Sequence, residues 1–145
     1  VCGRVNGVQG PVRDIVTEPE YLDVAVPKGA RITHPVKRGH TVFAYVIEGS
    51  AYFDTVRDPY AREEAGRNYF DMERECLCGP ETLVHYGEGD AVSIAAEKEP
   101  VRFLLVSGKP IGEPVAWYGP IVMNTHEEIR IAFDEYRKGT FIKHR

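Results

Sequence analysis

What this sequence has little of is the first guide to its function. No apolar run approaches the ~20 residues that a membrane-crossing helix needs, and no signal-peptide pattern opens the chain. It has no arginine-rich arm and no basic stripe that would displace counterions from phosphates. Net charge is −4 with acids and bases interspersed, so neither nucleic acid nor a membrane is expected as a partner. Cysteine is scarce: Cys2, Cys76 and Cys78 are an odd count of 3, which fits a reducing cytoplasm and not a disulfide scaffold. A G-x-S-x-G nucleophile turn, a phosphate-cradling glycine loop and a dinucleotide fingerprint are all missing. The paired acids Glu63-Glu64 and Glu127-Glu128 are sequence neighbours, whose side chains diverge on a helix, so they make a poor acid/base pair. The chain opens on Val1 and not on methionine, as expected of a piece cut from something longer.

What is present describes one globular unit. At 145 residues, 43% apolar and 28% charged, residues 1–145 are expected to form a single domain with its own core. The organising stretch is 34–49. It enters through His34, Lys37, Arg38 and His40, runs through seven β-branched, aromatic or small residues, and stops at Glu48-Gly49. Such a run without helical spacing predicts a strand covered on both faces.

Short β-type runs flank it at 12–17, 21–26, 30–33, 50–54, 81–86, 91–95 and 101–106. Turns at Glu18-Pro19-Glu20, Pro27-Lys28-Gly29 and Gly87-Glu88-Gly89-Asp90 separate several of them. Residues 54–78 break the pattern with seven acids and four bases around Tyr60, Tyr69, Phe70 and Met72. They are expected as an insertion outside the barrel, with one helical turn at 61–65. Either this is a solvated face, or its aromatics form a partner surface.

Residues 108–123, with three prolines and three glycines, cannot be a helix. Trp117 and Tyr118 within them either pin that loop across the barrel or stack a ligand. The period then changes. Thr125-His126-Glu127-Glu128 is a capping-box sequence, Ile129, Ala132, Phe133 and Tyr136 fall on one helical stripe, and Gly139 is a stop. The expectation is all-β: a cupin-type double-stranded β-helix, or jelly-roll, barrel with a C-terminal α-helix at about 125–138 packed on its outside.

The tail carries a resemblance. Arg102-Phe103-Leu104-Leu105-Val106-Ser107-Gly108-Lys109-Pro110-Ile111-Gly112-Glu113-Pro114-Val115 and Tyr118-Gly119-Pro120-Ile121-Val122-Met123-Asn124-Thr125, with Glu127-Glu128-Ile129 after them, resemble the closing segment of the pirin family. Tyr21-Leu22-Asp23 and the 87–90 turn fit the same half of that family. Pirins are tandem cupins, and this chain is similar to the second barrel, outside residues 54–78. The resemblance implies that the family's metal, usually iron, and any quercetin dioxygenase activity belong to the first barrel. Nuclear co-regulation is known for eukaryotic members.

The cupin motif positions can be counted directly. Back from Gly49, the glutamate position is Val42 and the histidine positions are Val36 and Arg38; the second motif places its histidine at Val92. Valine cannot coordinate a metal and a guanidinium repels one, so no metal and no other cofactor is expected, and no catalytic residue is assigned. His34 and His40 flank the first motif and His85 precedes the second. Either these are rim and surface histidines, or Arg38, His40, His34 and His85 anchor a small anionic or apolar ligand at the mouth of the barrel. Cys76-Leu77-Cys78 is either a metal or redox pair, or two small residues at the foot of the insertion. The expected role is a cytoplasmic structural or interaction module, paired with a second cupin barrel in cis or with a homodimer mate. The alternatives are a small-molecule-binding or enzymatic cupin, or half of a dioxygenase.

Overall fold

A computed structural model describes residues 1–65 and 75–143. Contacts divide the chain into two units, Val1–Pro110 and Ile111–Arg145. The first opens with a two-stranded ribbon, β1 (Arg4–Val5) and β2 (Val8–Gln9). Two antiparallel four-stranded sheets follow. One is ordered β3 (Glu20–Val26), β10 (Val101–Gly108), β5 (Thr41–Gly49), β8 (Leu83–Tyr86); the other β4 (Ala30–Pro35), β9 (Ala91–Ala96), β6 (Ala51–Tyr52), β7 (Leu77–Cys78). Consecutive strands alternate between the sheets from β3 to β6 and from β8 to β10, which is the jelly-roll arrangement. Among the described residues no helix is long and apolar enough to cross a membrane.

The core follows from strand alternation. Val42, Ala44 and Val46 of β5 face inward, as do Phe103 and Leu105 of β10 and Val92, Ile94 and Ala96 of β9. Phe53 and Phe103 meet edge to face, with centroids 5.1 Å apart. The expectation that β5 is covered on both faces is corrected: its outward residues Phe43 and Ile47 are half-buried and Tyr45 is exposed. Thr41–Gly49 is therefore an alternating strand whose outer side is also apolar, which hides the period of two.

Two further expectations change. Residues 12–17 form no strand: Val12 makes one bridge to Cys2, while Asp14 and Glu18 adopt positive φ, which interrupts an extended run. The segment 54–78 is not wholly outside the barrel, because Leu77–Cys78 pairs with Ala51–Tyr52 as part of the second sheet. The helical turn in it is a 3-10 turn at Pro59–Ala61, capped by Asp58, and not at 61–65. Tyr69, Phe70 and Met72 lie outside the described residues.

The second unit holds a hairpin, β11 (Ala116–Tyr118) and β12 (Ile121–Met123), and the helix α1 (His126–Lys138). Both arms of the capping box form at Thr125 and Glu128, and Gly139 closes the helix at φ 71°, a left-handed conformation that suits glycine. Tyr118 of the hairpin stacks edge to face on Phe133 of the helix at 5.4 Å. Ile129 and Ala132 are buried, but Tyr136, the last residue of the helical stripe, is 69% exposed.

Candidate functional site

The site is assembled by two loops at one end of the barrel. After β4 the chain turns at Gly39 (φ 77°), and the loop is latched to the β8–β9 turn. The Val36 N–H donates to the Asp90 carbonyl at 2.9 Å, and the Arg38 guanidinium donates to the Asp90 carboxylate at 2.8 Å. That contact holds the Asp90 carboxyl below its usual range. The latch sets Val36 beside the inward-facing Val42 and Val92, the latter two only 3% exposed. Together the three valines, Phe53 and the Tyr86 ring form the apolar floor of a cavity of about 560 Å³.

The cavity exists because the second sheet is not zipped shut. β6 and β9 share a single pair, Tyr52 with Ala95. Beyond it residues 53–55 and 91–93 line opposite parts of one cleft. Arg31, Thr33, Asp54, Glu88 and Ser93 supply its polar rim. Tyr86, in register with Val42, has a buried hydroxyl with no partner among the described residues. Burial pushes that hydroxyl well above the usual phenol range; Cys78 and Asp54 add to the shift and Arg62 opposes it.

The four residues expected at the mouth are dispersed. Arg38 is engaged by Asp90, and its side chain is 79% exposed. His34 faces inward with its Nε2 3.0 Å from the Glu20 carboxylate, and both side chains are mostly buried. His40 is half-buried, with Nδ1 sealed from solvent and without a partner among the described residues. His85 lies on the outer face of β8, opposite Phe43. No described hydrogen bond or ion pair joins any two of the four, and none of them lines the cavity. Glu20 and Tyr86 were legible in principle: each continues the inward register of its strand, Glu20 before Leu22, Val24 and Val26, and Tyr86 after Val84.

Cys76 and Cys78 are free thiols. Arg62 Nη1 donates to the Cys76 carbonyl at 2.9 Å and lies 3.6 Å from Cys78 Sγ, while its Nη2 is buried with no partner among the described residues. Burial raises the Cys78 thiol above its usual range, with Arg62 opposing. Three valines and an arginine at the motif positions do not make a metal donor set. Among the described residues no group of three or more His, Cys, Asp or Glu side chains could hold an ion. The described residues of this barrel therefore do not fit a cupin metal.

The family model described as the Pirin C-terminal cupin domain matches residues 21–142. The chain is 36% identical over 139 residues to pirin of Mus musculus, covering 94% of this chain and 42% of that protein. It is 36% identical over 143 residues to a Pseudomonas aeruginosa protein named as a candidate quercetin 2,3-dioxygenase, covering 96% and 44%. Among solved structures, a quercetin 2,3-dioxygenase from Acinetobacter baumannii superposes with a TM-score of 0.76 at 27% identity, covering 97% of this chain and 42% of that one. The chain thus spans less than half the length of each of these relatives.

Proposed function

The chain belongs to the pirin family as its C-terminal cupin domain, and from that premise we propose that it is a metal-free module that pairs with a second cupin barrel. The observation that carries this reading is the valine floor. Val36, Val42 and Val92 occupy three motif positions and stand together in one cavity, where no metal could be held. Two further facts support pairing. The relatives are more than twice as long as the matched segment, and the C-terminal unit leaves Val115, Trp117 and Tyr118 at 76%, 72% and 67% exposure. Exposed aromatics of this kind are the residues enriched at protein interfaces.

Sedimentation of the chain, alone and mixed with the first barrel of a pirin, tests the proposal. A complex or a homodimer is expected, weakened at least tenfold by Trp117→Asp, on the scale of an interface anchor. A monomer under every mixture would overturn it. Elemental analysis should return less than about a tenth of an equivalent of metal per chain.

A second reading is supported by the likeness to the Acinetobacter baumannii quercetin 2,3-dioxygenase: a two-barrel protein containing this domain has that activity, with any metal it needs held outside this barrel. In that case this chain alone shows no turnover, and the two-barrel protein retains it after Val42→Leu.

A further inference from the structure

The open seam between β6 and β9 is a formed cavity that the pairing role does not use. We propose that it binds a small neutral aromatic molecule bearing one O–H or N–H donor, packed on the valine floor and hydrogen-bonded to Asp54. The site is distinct from the Arg38 and His40 rim, and its test is independent of the pairing proposal.

Size and lining argue for a ligand. About 560 Å³ falls within the roughly 300–1,000 Å³ of small-molecule sites. The floor combines branched aliphatics with the half-buried Tyr86 ring, which suits a flat aromatic guest, while Phe53, 1% exposed, belongs to the core. The Tyr86 hydroxyl is sealed from solvent, so the ring and not the oxygen is presented to the cavity.

The rim selects the polar end. Asp54 Oδ1 already accepts from the Val56 N–H at 3.1 Å and from the Thr55 hydroxyl at 3.4 Å. Its Oδ2 accepts nothing from the described residues, which leaves a strong acceptor beside an apolar floor. The charged groups of the rim are two carboxylates, Asp54 and Glu88, and one guanidinium, Arg31, which is itself 3.9 Å from Glu97. A ligand carboxylate would therefore be repelled, whereas a phenol O–H would be accepted.

The probes are p-cresol, toluene and 4-methylbenzoate, titrated into the purified protein and followed by amide NMR. p-Cresol is expected to give saturable shifts at the amides of 42, 53–55 and 91–93, and to bind more tightly than toluene and at least tenfold more tightly than 4-methylbenzoate. Asp54→Asn should lower p-cresol affinity about fivefold, as a charged acceptor becomes a neutral one, and leave toluene unchanged. Val36→Phe, which fills the cavity, should abolish binding of both; if that variant does not fold, the Asp54→Asn comparison still decides. No saturable shifts up to the solubility limit, shifts mapping elsewhere, or 4-methylbenzoate binding as tightly as p-cresol would overturn the proposal.

Discussion

The barrel unit and the C-terminal unit place their apolar residues in opposite ways. In the barrel, Phe53, Phe103, Ile94, Leu105, Val26 and Val46 are each under 2% exposed and pack across two sheets. In the C-terminal unit, Ala116, Ile129 and Ala132 are the buried apolar residues among those described, while Val115, Trp117, Tyr118, Val122 and Tyr136 are exposed. The barrel is ordered by long-range burial. The C-terminal unit is ordered by local devices: a capping box, a left-handed glycine stop, and a Trp117 Nε1–H that donates to the Gly119 carbonyl at 2.6 Å. A segment that gets its shape locally has its large apolar side chains free for another surface, and that contrast underlies the pairing proposal.

The strongest way to break the comparison is to truncate one large aromatic in each unit. Phe103→Ala should cost about 3–5 kcal/mol, because it removes a buried ring and leaves a cavity against Phe53. Tyr136→Ala, at an exposed position, should stay within about 0.5 kcal/mol. Equal costs in urea unfolding would end the distinction. Next in size, Thr125→Ala removes the helix cap and should cost about 1 kcal/mol. The loss should appear as faster amide exchange in α1, with protection of β5 and β10 unchanged.

Tyr86→Phe sharpens the description of the barrel's interior. The hydroxyl has no partner to lose among the described residues, so stability near neutral pH should hold or rise slightly. Because its folded-state titration lies above the ordinary 10.0, the neutral phenol contributes stability that is fully present below that pH and is lost as pH rises past it. The wild-type protein should therefore lose stability above pH 10 more steeply than Tyr86→Phe, as read by denaturant midpoints across the alkaline range. The smallest effect is expected from Arg38→Ala: its pair with Asp90 is solvent-exposed, so the melting temperature should not move measurably. A clear drop would show that the side-chain latch, and not the Val36–Asp90 backbone bond, holds the two loops together.

Legibility tracked the range of the interactions involved. The helix and its caps, the glycine turns and the pirin-like tail were readable because they lie within a few residues of one another. β5 reads as covered on both faces because Phe43, Tyr45 and Ile47 make its outer side as apolar as its inner one, which erases the alternation a half-exposed strand normally shows. The strand at Leu77–Cys78 is not legible in the sequence because a two-residue strand carries no periodicity; its membership of the sheet rests on pairing with Ala51 and Tyr52. Arg38, His40, His34 and His85 lie near the motifs in sequence, yet each finds a different environment: His34 and His85 follow the register of β4 and β8, and Arg38 and His40 sit in the loop between β4 and β5.

Read alone, the residues determined the class of fold, the capped helix and the absence of donors at Val36, Val42 and Val92, since these depend on residue type and short spacing. Only the tertiary structure decided that those three valines line one cleft with Phe53 and Tyr86, that the Tyr86 hydroxyl has no partner among the described residues, and that Asp54 stands beside an unzipped seam. Those outcomes depend on strands distant in sequence being joined in β-sheet register, as Val42 is with Tyr86 and Tyr52 with Ala95. A shift of one residue in register would turn every one of these side chains to the opposite face, which is why local pattern could not fix them in advance.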